Sequence, residues 1–258
     1  VKSLIVDNPT SVNNNLFISN TVGALAVTVN DTLLIRQGVL NSGNRNIIIN
    51  NTIYADSIIN DGKFAPLTAD VIMAGTNAKY IALHNRSGIR FNNLRLQGGT
   101  ITASNLGSPD TTQAHVFVQN TLNFEGQSYF VPEGSCNLKI TNSNPNSILN
   151  FGPDRFVLTS MTSGSLYRNL AAGQNYTYPV GSFESGAYHY TPAEFYAGAS
   201  GTAGRAAVRV SPGRYGAFPG GHARISSSLA KVYLTRYWSV DSVTAQIPGT
   251  WRFNYLES

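Results

Sequence analysis

The chain has 258 residues, of which 42% are hydrophobic and 12% are charged, against a usual charged share of about 25%. Its net charge of +5 comes from scattered Arg and Lys residues with no basic run, which argues against a nucleic-acid-binding protein. No apolar run approaches the roughly 18 residues of a membrane span, so no membrane span is expected either.

Asparagine dominates the first region of the chain, residues 1–152. Before residue 151 lie 24 of the 27 Asn residues, and short apolar stretches rich in β-branched residues alternate there with Asn or Gly. These stretches predict strands, because none has the periodicity of a helix. They include "ALAVTVN", "TLLIRQGVLNSGN", "IIINNTIYADSIINDGK", "FNNLRLQGGTITASN" and "NTLNFEGQSYF".

The same stretches resemble one another at a spacing near 20 residues. Residues 39–43 match residues 58–62 after a shift of 19, and Leu33 with its following residues matches Leu94 after a shift of 61, about three such steps. A degenerate repeat of this length predicts a parallel β-solenoid, whose coils bury their apolar side chains only by stacking on one another. An antiparallel sandwich is the alternative, and it explains the strands but neither the spacing nor the Asn excess.

The Asn excess has a physical reason in a solenoid. Asn tolerates a left-handed backbone and bonds to nearby main chain at tight corners, and identical amides can stack from one coil to the next. A weakly charged surface of Asn, Ser, Thr and Gly is also typical of extracellular β proteins. We therefore expect an extracellular protein or one of a bacterial cell surface.

The second region, residues 153–258, contains 10 of the 13 Tyr residues. Its strand-like stretches are longer, and segments such as "SPGRYGAFPGG" separate them with Pro and Gly turns. This pattern predicts an antiparallel β-sandwich-like module of about six or seven strands, with residues 227–234 as the only place for a short helical turn. The predicted fold class is therefore all-β: a parallel β-helix (β-solenoid) region followed by an antiparallel β-sandwich-like domain.

Few residues suggest catalysis or metal binding, and no cofactor is predicted. The four histidines are far apart in sequence and lack a second ligand at metal-binding spacing: His84, His115, His189 and His222. Five aspartates stand in turn-like contexts, in which Asp caps the backbone instead of acting as one of two paired acids: Asp31, Asp56, Asp61, Asp70 and Asp110. Cys136 is the only cysteine, which excludes an intrachain disulfide and predicts a small buried hydrophobe.

A cluster of tyrosines is the candidate binding surface of the second region. Exposed Tyr rings on neighbouring strands stack on sugar faces at little entropic cost, because Tyr has few rotatable bonds and keeps a polar hydroxyl. The alternative is that these alternating rings pack one face of a sheet. The candidate sugar-contact residues are Tyr176, Tyr178, Tyr188, Tyr190 and Tyr196.

Five short motifs in the second region add a resemblance to this interpretation. They occur in the order "GSLYRNL", "YTYPVGSFES", "AYHYTPAEF", "AAVRVSP" and "LTRYWSVDS". Residues 155–258 resemble a module of large secreted and cell-surface adhesin-like proteins of the Bacteroidetes, which the type IX secretion system exports. In that module a Gly-Ser-Leu-x-Arg stretch leads to a Phe/Tyr-Pro-Val-Gly motif, and an Arg-Tyr-Trp strand corresponds to residues 236–238.

The resemblance implies a role and a location more than a reaction. Together with a chain that opens without Met, it leads us to expect a segment of a longer polypeptide, partnered by other domains of that polypeptide and by surface polysaccharide or neighbouring copies. The first hypothesis is a non-enzymatic structural or adhesive segment, a stiff β spacer with a capping sandwich. The second is a carbohydrate-binding or polysaccharide-degrading module on a β-helix, and the third is a self-assembling extracellular fibre subunit.

Overall fold

A computed structural model describes the chain over most of its length. The described residues are 1–7, 15–17, 26–37, 39–41, 45–55, 63–65, 68–84, 88–105, 115–159, 164–201, 203–212, 236–244 and 247–255. Within them the first strands are β1 (Leu4–Asp7), β2 (Asn15–Phe17), β3 (Val27–Val29), β4 (Thr32–Gln37), β5 (Val39–Asn41), β6 (Ile47–Ile49), β7 (Thr52–Ala55), β8 (Lys63–Ala65), β9 (Asp70–Ala74) and β10 (Lys79–Leu83).

Two long strands and a series of shorter ones complete the chain. The middle elements are β11 (Ile89–Asn105), β12 (Val116–Glu133), β13 (Leu138–Ile140), a 3-10 turn (Pro145–Ser147), β14 (Ile148–Leu149) and β15 (Arg155–Leu158). The C-terminal strands are β16 (Leu166–Leu170), β17 (Asn175–Tyr178), β18 (Val180–Glu184), β19 (Ala187–Tyr190), β20 (Ala193–Ala197), β21 (Gly204–Pro212), β22 (Arg236–Thr244) and β23 (Gly249–Phe253).

The strands wind into a parallel solenoid with three faces. Face 1 stacks β1, β4, β7, β10, the last parts of β11 and β12, and β15. Face 2 stacks β3, β6, β9, the middle parts of β11 and β12, and β14. Face 3 holds β2, β5 and β8, and then the first parts of β11 and β12 with β13 and β16.

Aliphatic side chains point inward in register and build the core. On face 2 the same inward position is occupied, coil after coil, by Val27, Ile47, Val71, Leu94, Leu122 and Ile148. Most of these side chains are fully buried, and each contributes about 1.5–3 kcal/mol relative to an exposed position. The parallel solenoid expected from the sequence is therefore confirmed.

The length of the coils differs from the prediction. Thr32 pairs with Thr52 at the expected spacing of 20 residues, but Thr52 pairs with Tyr80 after 28. Residues 39–41 pair with residues 63–65 and not with 58–60, and Leu33 is followed in its row by Ile53, Ile81 and Ala103, not by Leu94. Both sequence alignments were wrong. Corners of different length separate the strands, so the number of residues between paired positions changes from coil to coil, although inward side chains still stack on inward side chains.

Asparagine ladders run along the outside of the solenoid, as the composition predicted. The side-chain amide of Asn50 donates to the Asn30 side chain one coil away at 2.9 Å. Farther along, Asn120 donates to Asn93 at 2.9 Å, and Asn142 donates to Asn120 at 3.2 Å. Asn also takes a left-handed corner at Asn150, whose φ is 56°. Stacked amides and left-handed corners both occur.

An antiparallel extension of face 3 and a small separate antiparallel sheet, which together we call the cap, close the C-terminal end of the solenoid. β21 and β22 extend face 3 antiparallel to β16, while β17, β20 and β23 form a separate sheet. Trp238 packs on Phe253 across the two sheets with ring centroids 5.2 Å apart, and the Tyr178 hydroxyl donates to the carbonyl of Ala206 at 3.4 Å. The sandwich-like part of the predicted fold class is thus confirmed.

The change from parallel to antiparallel pairing lies later than the change in composition. Strand β16 still stacks in parallel on β13, and β18 stacks in parallel on β15 as far as Gly181. The division into a solenoid region, residues 1–152, and a sandwich-like module, residues 153–258, stays a prediction. The predicted helical turn at 227–234 lies outside the described residues. In the part of the chain that is described, no helix is long and apolar enough to cross a membrane.

A hairpin of β18 and β19, residues 180–190, folds back over the outer side of face 1, and we call it the clasp. Phe183 and Tyr190 of the clasp pack on a small apolar cluster there: Tyr129, Val131, Phe156 and Leu158. A Cβ on Gly181 would lie 2.4 Å from the Phe156 ring, so only glycine fits where the clasp crosses that ring. In the Tyr-Pro-Val-Gly motif, Pro179 separates β17 from β18, and Gly181 lies within β18.

Candidate functional site

A cleft of about 650 Å³ opens on the outside of the solenoid, at the corner between faces 2 and 1. Its volume lies within the range of small-molecule binding sites, about 300–1,000 Å³. Two coils supply most of its walls, and the clasp supplies one edge. The side chains that line it are Thr76, Gln97, Thr100, Glu125, Gln127, Tyr129 and Tyr188.

Glycines and a buried lysine build the floor of the cleft. Gly98, Gly99 and Gly126 all have positive φ, and a Cβ on Gly99 would lie 2.7 Å from the carbonyl oxygen of Asn77. The fully buried Lys79 points inward, and its ammonium donates to the carbonyls of Gly75, Asn77 and Gly98. Since a buried ammonium is stable only with such partners, it ties the two coils together beneath the cleft.

An exposed tyrosine forms the aromatic wall. Tyr188 stacks on Tyr129 with ring centroids 4.1 Å apart and an interplanar angle of 11°. Tyr129 is buried, whereas Tyr188 keeps 41% of its surface exposed. The clasp therefore presents a ring in a fixed orientation at the rim of a polar cleft. A ring held in this way offers its remaining surface to the apolar face of a ligand at little entropic cost.

A hydrogen-bonded carboxylate forms the polar wall. Arg95 donates to both oxygens of Glu125, from Nε at 2.7 Å and from Nη2 at 3.0 Å, and from Nη1 to Asp70 at 3.1 Å. Gln97 and Asn123 each donate a further bond to Glu125 at 2.8 Å. The bond from Arg95 is the main cause that lowers the pKa of Glu125. Glu125 is therefore held ionised, unlike a general acid, which needs a raised pKa.

Asp70 corrects one expectation from the sequence. Its context suggested a turn, but it is the first residue of β9 and its side chain forms an ion pair with Arg95 on the outside of face 2. Asp31 lies in a bend and accepts a bond from Asn51 at 3.2 Å, which fits the turn interpretation. The remaining three aspartates lie outside the described residues: Asp56, Asp61 and Asp110.

The five candidate sugar-contact tyrosines do not form one surface. Tyr188 lines the cleft, and Tyr190 of the clasp packs on Phe156 of face 1. Tyr196 is exposed on the separate sheet of the cap, where its hydroxyl donates to the Glu194 carboxylate. Tyr176 and Tyr178 are buried, 1% and 0% exposed. The prediction is wrong for these two residues, because their rings point into the cap and cannot reach a sugar.

Tyr176 and Tyr178 instead surround a buried guanidinium. The fully buried Arg168 lies with Cζ 5.0 Å from the Tyr176 ring and 6.0 Å from the Tyr178 ring. Its Nη1 donates to the carbonyl of Thr177 at 2.6 Å. Its Nη2 donates to the carbonyl of Pro145 at 2.8 Å and to Ser147 Oγ at 3.0 Å. Burial lowers the pKa of Arg168 to about 10. The tyrosines thus have a structural role at the junction of solenoid and cap.

Sequence reasoning missed Lys79 and Arg168, although strand alternation contains the signal. Lys79 has the same parity as Ile81 and Leu83, and Arg168 has the same parity as Leu166 and Leu170. A charged residue at an inward-facing parity predicts a buried cation with main-chain partners. The Glu125–Arg95 pair was missed because its members lie 30 residues apart and meet only through the coil register.

The described residues contain no group of three or more His, Cys, Asp or Glu side chains that could hold a metal ion. Cys136 is buried, as predicted, and burial raises the pKa of its thiol to about 12. A thiol of this kind stays protonated and is a poor nucleophile.

In comparisons with known proteins, no family model matches the chain, and no curated protein or solved structure has significant similarity to it.

Proposed function

We propose that this chain is a non-catalytic structural and adhesive segment of a large secreted or cell-surface bacterial protein. The solenoid acts as a stiff spacer between other domains of the same polypeptide, and the cap closes one end of it. The weakly charged Asn-rich surface and the motifs similar to type IX secretion modules support an extracellular location in a Bacteroidetes-like organism.

The single observation that carries this proposal is the closed end of a continuous solenoid. A last coil without a cover exposes apolar core and unpaired strand edges, which favours aggregation. Here β21 pairs with the last strand of face 3, and Arg168 fills the remaining inward space with a charge whose partners come from the cap and the 3-10 turn. The cover at this end lowers the tendency of the chain to stack on other copies there, as a spacer requires.

The spacer role is tested on the purified chain by small-angle X-ray scattering and negative-stain electron microscopy. We expect monodisperse, elongated particles with the mass of one chain at every concentration from micromolar to near-millimolar. Fibres that grow with concentration would support the third hypothesis, the self-assembling subunit, and would overturn the spacer proposal.

A second function, carbohydrate binding, is favoured by the cleft. Sugar-binding sites combine an aromatic ring for the apolar face of the pyranose with amide and carboxylate groups for its hydroxyls, and Tyr188, Gln97, Gln127 and Glu125 supply this set. The lowered pKa of Glu125, which is paired with Arg95, makes it unsuitable as a general acid and favours binding over hydrolysis. We therefore assign the cleft an adhesive and not a degradative role.

A glycan-binding screen tests this second function with Tyr188→Ala, and Tyr196→Ala serves as the matched control. Both rings are similarly exposed, 41% and 38%, but Tyr196 lies on another sheet. We expect the Tyr188 variant to lose at least tenfold in affinity and the Tyr196 variant to retain it. Release of reducing ends from any bound polysaccharide would contradict the non-catalytic proposal, and equal losses in both variants would remove the cleft from consideration.

A further inference from the structure

The outer side of face 3 carries a row in which cations and aromatic rings alternate. Strand pairing brings Arg90, Phe117, Lys139 and Tyr167 side by side on β11, β12, β13 and β16. Arg90 Cζ lies 4.4 Å from the centre of the Phe117 ring, and Lys139 Nζ lies 5.5 Å and 5.2 Å from the rings of Phe117 and Tyr167. These cation–π contacts hold the charged groups at fixed positions.

Strand β21 continues the row with two more cations. Arg205 and Arg209 flank Ala207, the residue that pairs with Tyr167. Burial, and then the charge of Arg205, lower the pKa of Lys139 to about 8, so these two cations lie within range of each other's field. Neither Lys139 nor Arg205 has a carboxylate partner among the described residues. Asp241 of β22 pairs with Ala207 of β21 and adds one negative charge to the four positive charges of the row.

The strands that carry these cations are spaced regularly along the solenoid axis. Neighbouring strands lie about 4.8 Å apart, so the backbones of Arg90 and Lys139, two strands apart, are separated by about 10 Å. Strand β21, which carries Arg205 and Arg209, also lies two strands away from β13, with β16 between them. A fixed linear array of this kind matches a polymer with repeated anionic groups better than it matches a single small anion.

We propose that this row, Arg90, Lys139, Arg205 and Arg209 with the rings between them, binds an acidic polysaccharide lying along the solenoid axis. Carboxylates or sulfates of the polymer accept hydrogen bonds from the cations, and such charge-assisted bonds are stronger than neutral ones. Nucleic acid is the less suitable polyanion, because Arg90 and Lys139 occupy ring faces on which bases would otherwise stack. The row lies on a different face from the Tyr188 cleft, and the two assignments stand or fall separately.

Binding of the wild-type chain to alginate, a polyuronate, is the direct test, measured by biolayer interferometry at pH 6.5 and 50 mM NaCl. Neutral dextran and a single-stranded oligodeoxythymidine serve as the uncharged and phosphate comparisons. We expect alginate binding that weakens steeply with salt, because exposed charge interactions are screened, and no binding to dextran. No alginate binding, or tighter binding of the oligonucleotide, overturns the proposal.

Variants locate the interaction on the row. We expect the double variant Lys139→Gln/Arg205→Gln, and separately the exposed Arg90→Gln, to weaken alginate binding, the double variant by at least tenfold. Arg252→Gln is the matched control, because it removes the same charge from an exposed side chain of β23 outside the row. Arg90→Gln retains an exposed position and removes no buried group, so it reports on binding even if the double variant unfolds. An equal loss in Arg252→Gln reduces the effect to net charge and also overturns the proposal.

Discussion

The solenoid and the cap are stabilised in different ways. In the solenoid the same contact recurs from coil to coil: aliphatic rows fill the inside and Asn ladders run along the outside. In the cap, in the clasp and at the junction of cap and solenoid each contact occurs once, as in the hydrogen bonds of Arg168, the clasp crossing at Gly181 and the Trp238–Phe253 pair. A repeated contact is replaceable, whereas a single one is not. Substitutions on the outside of the solenoid should therefore cost less stability than substitutions at its junction with the cap.

Removal of residues 153–258 is the most severe way to separate the two regions. The fragment 1–152 loses the strands that pair with the last parts of β12 and with β13, and their inward side chains become exposed. We expect it to aggregate or unfold, measured by light scattering and circular dichroism beside the full chain. A monomeric fragment with cooperative unfolding would instead establish residues 1–152 as an independent domain.

The next largest effect is expected for Arg168→Ala. The substitution leaves several buried acceptors without a donor and opens a cavity, so we expect the free energy of unfolding to fall by about 3 kcal/mol or more in urea titrations. Arg155→Ala is the control, because its side chain is 37% exposed and its ion pair with Asp154 is worth about 0–1 kcal/mol. Equal losses in the two variants would mean that Arg168 is not a specific junction contact.

Gly181→Ala tests the crossing of the clasp over face 1. The added Cβ would lie 2.4 Å from the Phe156 ring and 2.3 Å from the His189 carbonyl oxygen, so we expect a loss of about 1–3 kcal/mol from overpacking. Gly152→Ala is the matched control, because its nearest contact is 3.6 Å and its φ is not positive. In the double variant with Phe156→Leu, part of the Gly181 loss should disappear; a strictly additive result would locate the strain elsewhere.

The smallest expected effect is a pH dependence of the free energy of unfolding that is caused by Lys139 on face 3. Lys139 has a folded-state pKa of about 8, below its ordinary 10.5, so the folded chain binds fewer protons than the unfolded chain in this interval. Stability contributed by this group therefore rises with pH from about 8 toward 10.5. We expect the slope of the unfolding free energy between pH 8 and 9 to be smaller in Lys139→Met than in the wild-type chain, because the Cys136 thiol, which also titrates in the unfolded chain over this interval, contributes equally to both. An unchanged slope contradicts this assignment.

The sequence predicted the parts of the fold that repeat. Alternating apolar stretches and the Asn load led to the solenoid, because every coil meets the same physical requirement. The coil register could not be predicted from the sequence. Corners of variable length change the number of residues between stacked positions, as the pairing of Thr52 with Tyr80 illustrates. The cleft could not be predicted either: Arg95, Glu125 and Tyr188 meet only after coils stack and the clasp folds back.

The buried guanidinium of Arg168 also sets an order of events during folding. A chain that folds from its amino terminus can add coils one at a time, each on the one before. The guanidinium of Arg168 cannot be buried in the same stepwise way, because one of its acceptors, the carbonyl of Thr177, lies nine residues later in the chain. We therefore expect closure of the last coil and docking of β17 to be coupled during folding. The hydrogen bond from Arg168 to Thr177 can form only after β17, the first strand of the cap, has packed against the solenoid.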